Sequence, residues 1–308
     1  MKVIFMGTPQ FAINPLNAIY NSEHDVVAVV CQQDKVNSRG NKILPCAVKK
    51  WAIENNVKYF QYANVSKEGE EDLKKLGADV IVTCAFGQFL HQNILTLCKY
   101  GVINIHSSLL PKYRGASPII SALLNGDKQS GVTIVKSNLA MDEGDILHSL
   151  SLDILPSDNS ISLSQKISEK GAIAIIEVLN DIEKYLKEAK KQNDKEAILC
   201  GKVTKEDARL NFNMESHEVV NRIKAYALNP TAHFVVENQR YKVYNAEVVS
   251  DMEGKSGEIL FCDKANGIII ACGKGAVKIL ELQPPNSVVM SDKAFLNGRK
   301  FNVGEICN

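Results

Sequence analysis

Positions 101–118 read GVINIHSSLLPKYRGASP. The run Gly101-Val102-Ile103 leads into Asn104 and His106, then opens into Leu109, Leu110, Pro111, Lys112, Tyr113, Arg114 and Gly115. This is the pattern of a buried strand that ends in a loop. Residues two apart on a strand share a face, so Asn104 and His106 point the same way at the strand end. Loops at such ends carry binding and catalytic groups held by a rigid scaffold.

Working outward, the same texture repeats. Lys2–Met6, Val26–Cys31, Asp79–Ala85, Gly101–Ile105 and Gly131–Val135 are mainly apolar runs of strand length, and Ile146–Ile154 also reads as a strand. Helical patterns separate several of them, at about 10–20, 47–55 and 117–125. Apolar strands alternating with helices predict an α/β domain around a Rossmann-like, mostly parallel sheet covered on both faces. Ligands of such sheets bind at the carboxyl ends of the strands. A long helix is predicted over about 160–189, after the start signal Pro156-Ser157-Asp158. The polar stretch Lys190–Glu196 follows, and then the texture changes. After a helix at Val219–Ala227, four short strands (Tyr241–Val249, Gly257–Cys262, Gly267–Ala271, Val277–Leu282) are punctuated by Gly, Asn and Asp, which predicts a small β-barrel domain. The expected organisation is a catalytic domain over 1–189, a linker over 190–205 and a β domain over 206–308.

The bulk composition narrows the classes. The 308 residues carry a net charge of +1, so no global field draws in nucleic acid or an anionic membrane, and any polyanion site must be a local patch. No apolar stretch reaches membrane length, and MKVIFMGTP is too short for a signal peptide. Eight cysteines form no CxxC pair, so no zinc knuckle or redox motif is read, and a metal site is not expected. Buried free thiols in a reducing compartment fit them, which predicts a cytoplasmic protein.

Four features carry chemistry. Gly7-Thr8-Pro9 follows the first strand where a dinucleotide fingerprint would sit, but it is not GxGxxG. The second strand ends Val29-Val30-Cys31-Gln32 without an acid, so NAD binding is not expected. Asn104 and His106, taken alone, read as a hydrogen-bonded core pair. They gain weight from Met141-Asp142-Glu143-Gly144-Asp145, an acidic turn after a strand. If that turn lies at the same sheet edge, an acid pairs with His106 beside an amide donor. Such a set suits acyl transfer to an amine: Asp and His manage protons and Asn holds the carbonyl oxygen. Finally, Lys35–Lys50 holds Lys35, Arg39, Lys42, Lys49 and Lys50 and no acid. By default that is a solvated loop, but at the end of the second strand it could reach substrate phosphates, with Lys112 and Arg114 adding to the patch.

Together these stretches resemble the 10-formyltetrahydrofolate-dependent formyltransferases, methionyl-tRNA formyltransferases above all. The resemblance spans essentially the whole chain. It is carried by IFMGTPQFA at the start, the insertion Gln33–Pro45, AFGQFL at 85–90, NIHSSLLPKYRGASP, GVTI at 131–134, MDEGDI at 141–146 and KVTKEDAR at 202–209. It implies Asn104, His106 and Asp142 as the catalytic trio and 10-formyltetrahydrofolate as formyl donor. It also implies folate contacts at Phe86, Gly87, Gln88, Phe89, Leu90, Ser108, Leu109, Leu110 and Pro111. The implied acceptor is initiator methionyl-tRNA, met by Lys35, Arg39, Lys42, Lys112 and Arg114 and by an OB-like C-terminal barrel. It implies a monomer, with no membrane partner. Two departures stand out. Asn229-Pro230-Thr231-Ala232 replaces a frequent Asn-Pro-Trp-Pro run, and the insertion is less basic, with Val36-Asn37 and Asn41. Residues 206–308 carry 12 Lys and Arg against 13 Asp and Glu, so tRNA contact there must rest on charge distribution. Two other readings remain: a formyltransferase of this fold acting on a small amine such as a nucleotide-linked amino sugar, and a non-catalytic RNA-binding protein.

Overall fold

The computed structural model describes residues 1–36 and 43–308. The chain divides into two units.

The first unit comprises Met1–Pro118, Gln129–Asp153 and Ser164–Cys200. Its strands are β1 (Lys2–Gly7), β2 (Asp25–Cys31), β3 (Lys35–Val36), β4 (Ile43–Leu44), β5 (Tyr59–Gln61), β6 (Val80–Cys84), β7 (Val102–His106), β8 (Arg114–Gly115), β9 (Gln129–Lys136), β10 (Ile146–Asp153) and β11 (Leu199–Cys200). Seven of them form one sheet in the order β10-β9-β7-β6-β1-β2-β5. β5, β2, β1, β6 and β7 run parallel, while β9 and β10 pair antiparallel at one edge. The apolar runs explain the middle of this sheet. Val3, Ile4, Phe5, Met6, Val80, Ile81, Val82, Val102 and Ile103 are all fully buried, as strands covered on both faces must be.

The turn after β1 shows why it is Gly7. A Cβ there would lie 2.8–2.9 Å from Phe5, Ala12 and the Cys84 carbonyl. Thr8 next to it donates to the Phe86 carbonyl and accepts from the Gln32 amide, tying the ends of β1, β2 and β6 together. The helix predicted over 160–189 is two helices, Ser160–Asn180 and Ile182–Lys187. The break falls at Asp181, whose backbone leaves the helical region. The segment expected as a linker is fastened to this unit: Lys190 bridges Ile146, and β11 pairs with β8.

The second unit comprises Ile119–Lys128, Ile154–Leu163 and Gly201–Asn308. Its strands are β12 (His233–Val236), β13 (Gln239–Val249), β14 (Ile259–Asp263), β15 (Gly267–Ala271), β16 (Ala276–Gln283) and β17 (Met290–Ser291). They form an antiparallel sheet in the order β12-β13-β16-β15-β14, with β17 on β16. The sheet curls around Phe234, Val243, Ile268, Ile270, Val277, Ile279 and Leu282, all fully buried. Phe212, Phe234, Tyr241, Phe295 and Phe301 stack inside it, with ring centroids 4.9–6.4 Å apart. The segment 305–308 spans the gap between its two edges. On the β14 side Cys307 donates to Gly257 at 2.7 Å, and on the β12 side Val235 and Asn308 exchange backbone hydrogen bonds of 2.7 and 2.9 Å. The helix Ser216–Ala225 starts with a capping box between Glu215 and Glu218 and buries Val219, Val220 and Ile223 against this core.

Candidate active site

The parallel register of β6 and β7 sets Thr83 beside Asn104. The Thr83 hydroxyl donates to Asn104 Oδ1 at 2.8 Å. That fixes which way the amide points, because Asn104 Nδ2 then faces the Asp142 carboxylate and donates to Oδ1 at 3.3 Å. One amide hydrogen of Asn104 stays unengaged among the described residues. His106 is 5% exposed, and its Nδ1 lies 3.5 Å from the same Asp142 Oδ1. Its Nε2 is 3.0 Å from the Tyr113 carbonyl. A carbonyl only accepts, so Nε2 carries a proton, and the imidazole is held between a backbone acceptor and a carboxylate. Asn104, His106 and Asp142 therefore meet at the carboxyl end of β7, although 38 residues separate Asn104 from Asp142.

Asp142 is held from several sides. Its Oδ2 accepts from the Gly115 amide at 2.9 Å. Its backbone φ is +57°, left-handed and uncommon for a residue with a Cβ. Gln192 Nε2 donates to the carbonyls of Asp142 and Gly144, each at 2.7 Å. Gly144 has no room for a side chain, since a Cβ would lie 1.6 Å from the Lys136 carbonyl oxygen. The sequence marks Gly144 as a turn, and the structure shows that close approach is what requires glycine there. Cys84, at the end of the neighbouring β6, is fully buried, and burial pushes its thiol well above the usual range, so it is no nucleophile.

The residues expected to meet folate divide into two groups. Gly87 and Phe89 are exposed and Leu90 is half-buried. Gly87 has φ +82°, and a Cβ there would come no nearer than 3.4 Å to any neighbour, the Gln32 side chain. The backbone at Gly87 is thus open on that side. Phe86, Ser108 and Leu110 are buried. Gln88 ties its loop to Val65 and Tyr62 through hydrogen bonds of 2.8 and 2.9 Å. Ser108 donates to the Lys112 carbonyl at 2.6 Å, and half-buried Leu109 packs over Gly131. Half-buried Pro111 follows a cis peptide bond from Leu110.

The basic residues also divide. Lys112 is exposed. Arg114, expected to reach phosphates, is 4% exposed. Its guanidinium pairs with Asp194 at 2.7 Å and with Glu143 at 3.6 Å, and Nε donates to Gln192 at 2.9 Å. A guanidinium enclosed and neutralised in this way does not form part of an exposed patch. Lys35 opens β3, while Arg39 and Lys42 lie outside the described residues. Among the described residues no group of three or more His, Cys, Asp or Glu could hold a metal, and no helix is long and apolar enough to cross a membrane.

Comparisons with known proteins place the chain in a family. The model of the formyl transferase family matches residues 1–179, and that of the formyl transferase C-terminal domain matches 202–300. A methionyl-tRNA formyltransferase of Sulfurihydrogenibium sp. (strain YO3AOP1) is 35% identical over 308 residues, covering 99% of each chain. Among solved structures, HypX from Aquifex aeolicus in complex with tetrahydrofolic acid superposes with a TM-score of 0.64 at 17% identity. That match takes in 98% of this chain and 48% of HypX. WlaRD, a sugar 3N-formyl transferase crystallised with dTDP and 5-N-formyl-THF, gives 0.65 at 21% identity over 94% of this chain and 99% of that one. These two likenesses show the fold: a Rossmann-like, mostly parallel sheet with a C-terminal antiparallel curled sheet. On its sequence and both of its domains, the chain belongs to the formyl transferase family.

Proposed function

We propose that this formyltransferase moves the formyl group of 10-formyltetrahydrofolate to the α-amino group of methionine on initiator methionyl-tRNA. The observation that carries the reading is that Asn104 Nδ2 and His106 Nδ1 lie 3.3 and 3.5 Å from the same Asp142 Oδ1 at the carboxyl end of β7. The full-length relative named for the same reaction supports the choice of acceptor.

The folate supplies the formyl group, carried on N10. The unengaged hydrogen of Asn104 Nδ2 and the Nδ1–H of a His106 protonated on both ring nitrogens hold the formyl oxygen as negative charge grows on it. Asp142 orients His106, takes up the proton that the attacking amine sheds, and passes it toward the departing nitrogen, directly or through a water. The side chains of the trio form no covalent bond to the formyl group in this scheme. The exposed backbone at Gly87 with Phe89 and Leu90 borders the donor. Lys35, Arg39, Lys42 and Lys112, together with the C-terminal domain (206–308), hold the tRNA backbone. Eight free cysteines, seven of them buried, fit a reducing cytoplasm, and we place the protein there as a monomer.

The test is to offer labelled donor to methionylated initiator tRNA, an amino-sugar nucleotide and glycinamide ribonucleotide. Label on the tRNA supports the reading. Label on a small amine alone keeps formyl transfer and overturns the acceptor.

A further inference from the structure

Asp142 has an uncommon backbone for a carboxylate that must be placed accurately. A left-handed non-glycine residue persists only where its surroundings over-determine it. The restraint comes from 50 residues away: both hydrogens of the Gln192 amide are directed at carbonyls of the acidic turn, Asp142 O and Gly144 O. Its oxygen accepts from Arg114 Nε at 2.9 Å. Arg114 thereby fixes the amide orientation, because a flipped Gln192 would set oxygen against two carbonyls and NH2 against a guanidinium. Burying a charged guanidinium is costly unless its geometry is used. Here Arg114 also reaches Glu143, the neighbour of Asp142, and Gly115, the next residue in the chain, donates to Asp142 Oδ2. The strap 190–200 is itself pinned. Arg114 N donates to Ile198 O at 2.8 Å and Ala116 N to Cys200 O at 3.0 Å. A Cβ on Gly115 would lie 2.1 Å from the Cys200 oxygen, so strap and loop are in close contact.

We propose that Gln192 is a positioning residue for formyl transfer: oriented by buried Arg114, it clamps the acidic turn so that the Asp142 carboxylate meets Asn104 and His106. The proposal rests on the formyl-transfer reading above. It gives the polar strap after the last helix of the first unit a part in the chemistry, through Asp142 and without contact to the reacting atoms.

Two variants separate the clamp from general stability. Gln192→Ala removes the side chain. Gln192→Glu keeps its shape and an acceptor for Arg114 but deletes both donors. Each is measured by single-turnover transfer at saturating donor and acceptor and by steady-state transfer with donor varied, with a thermal melt in parallel. Gln192→Glu is expected to stay folded, and both variants to slow transfer by about 10–100-fold, as when partners that orient a catalytic group are removed, while KM for the donor stays near wild type. A double-mutant cycle with Asp142→Ala gives the readout that a merely structural residue would not move. If Gln192 acts through Asp142, Gln192→Ala adds no further loss in the Asp142→Ala background. Wild-type transfer rates in folded Gln192→Ala and Gln192→Glu, or the same fold-loss in both backgrounds, would overturn the clamp while a slow Asp142→Ala leaves the site reading intact. Normal turnover in Asp142→Ala itself would overturn both.

Discussion

Replacing Asn104 with alanine separates the chemistry of the site from its architecture. The amide makes two contacts, one to Thr83 and one to Asp142. On its removal the Thr83 hydroxyl can turn to the Ile103 carbonyl, already 3.4 Å away. Asp142 keeps the Gly115 amide at 2.9 Å and His106 at 3.5 Å. The net stability loss is therefore that of about one ordinary hydrogen bond, ~1 kcal/mol. The rate loss should be far larger. Loss of one preorganised donor to a developing oxyanion costs ~2.7–4 kcal/mol, or about 10²–10³-fold in kcat. The assay is single-turnover transfer of labelled formyl with donor saturating, beside a denaturant melt of the same preparation. The expected result is a variant that melts almost like wild type, binds donor, and transfers about 10²–10³-fold more slowly. Turnover within a few-fold of wild type, from a folded variant, would refute the oxyanion role.

The geometry sets four further outcomes. Thr83→Val leaves Asn104 Oδ1 without its 2.8 Å donor, and an orienting bond of ~1 kcal/mol corresponds to about fivefold in kcat, which Thr83→Ser should restore. In salt titrations of tRNA binding, Lys112→Ala should lower the slope of log K against log salt by about 0.7–0.9, as for one phosphate contact. Arg114→Met should leave that slope unchanged and instead lose about 1–3 kcal/mol of stability, seen in a melt. The Lys49 ammonium beside Asp34 holds that carboxyl below its ordinary value. A lowered carboxylate stabilises the fold above its unfolded pKa of about 4, and the contribution is lost as pH falls through the folded value. NMR titration of Asp34 should therefore show its midpoint rising in Lys49→Met.

The parts of the fold readable in the sequence are those with one local cause. Val3–Met6, Val80–Val82 and Val102–Ile103 are apolar without interruption because both faces of those strands are covered. The placing of Asn104 and His106 on one face follows from strand period alone, and both side chains do approach Asp142. What the sequence hid depends on partners far along the chain. Arg114 reads as a surface base because nothing nearby announces Asp194, 80 residues on. Gln192 sits in a polar run that looks like a linker, and its value lies in two carbonyls it meets only after folding. Thr83 passes for strand filler, although β-branched threonine suits a strand and its hydroxyl alone turns the Asn104 amide. The break at Asp181 was likewise invisible to a periodicity that continues past it.

Direct transfer is decided by a rapid-quench single turnover with formyl-labelled 10-formyltetrahydrofolate, run with methionylated initiator tRNA, with methionylated elongator tRNA, and with no acceptor. Direct transfer by Asn104, His106 and Asp142 predicts label on the methionyl amine of the initiator tRNA and none on the protein, with or without acceptor. Label covalently attached to the protein when acceptor is withheld, or label on neither tRNA while donor still binds, would contradict it.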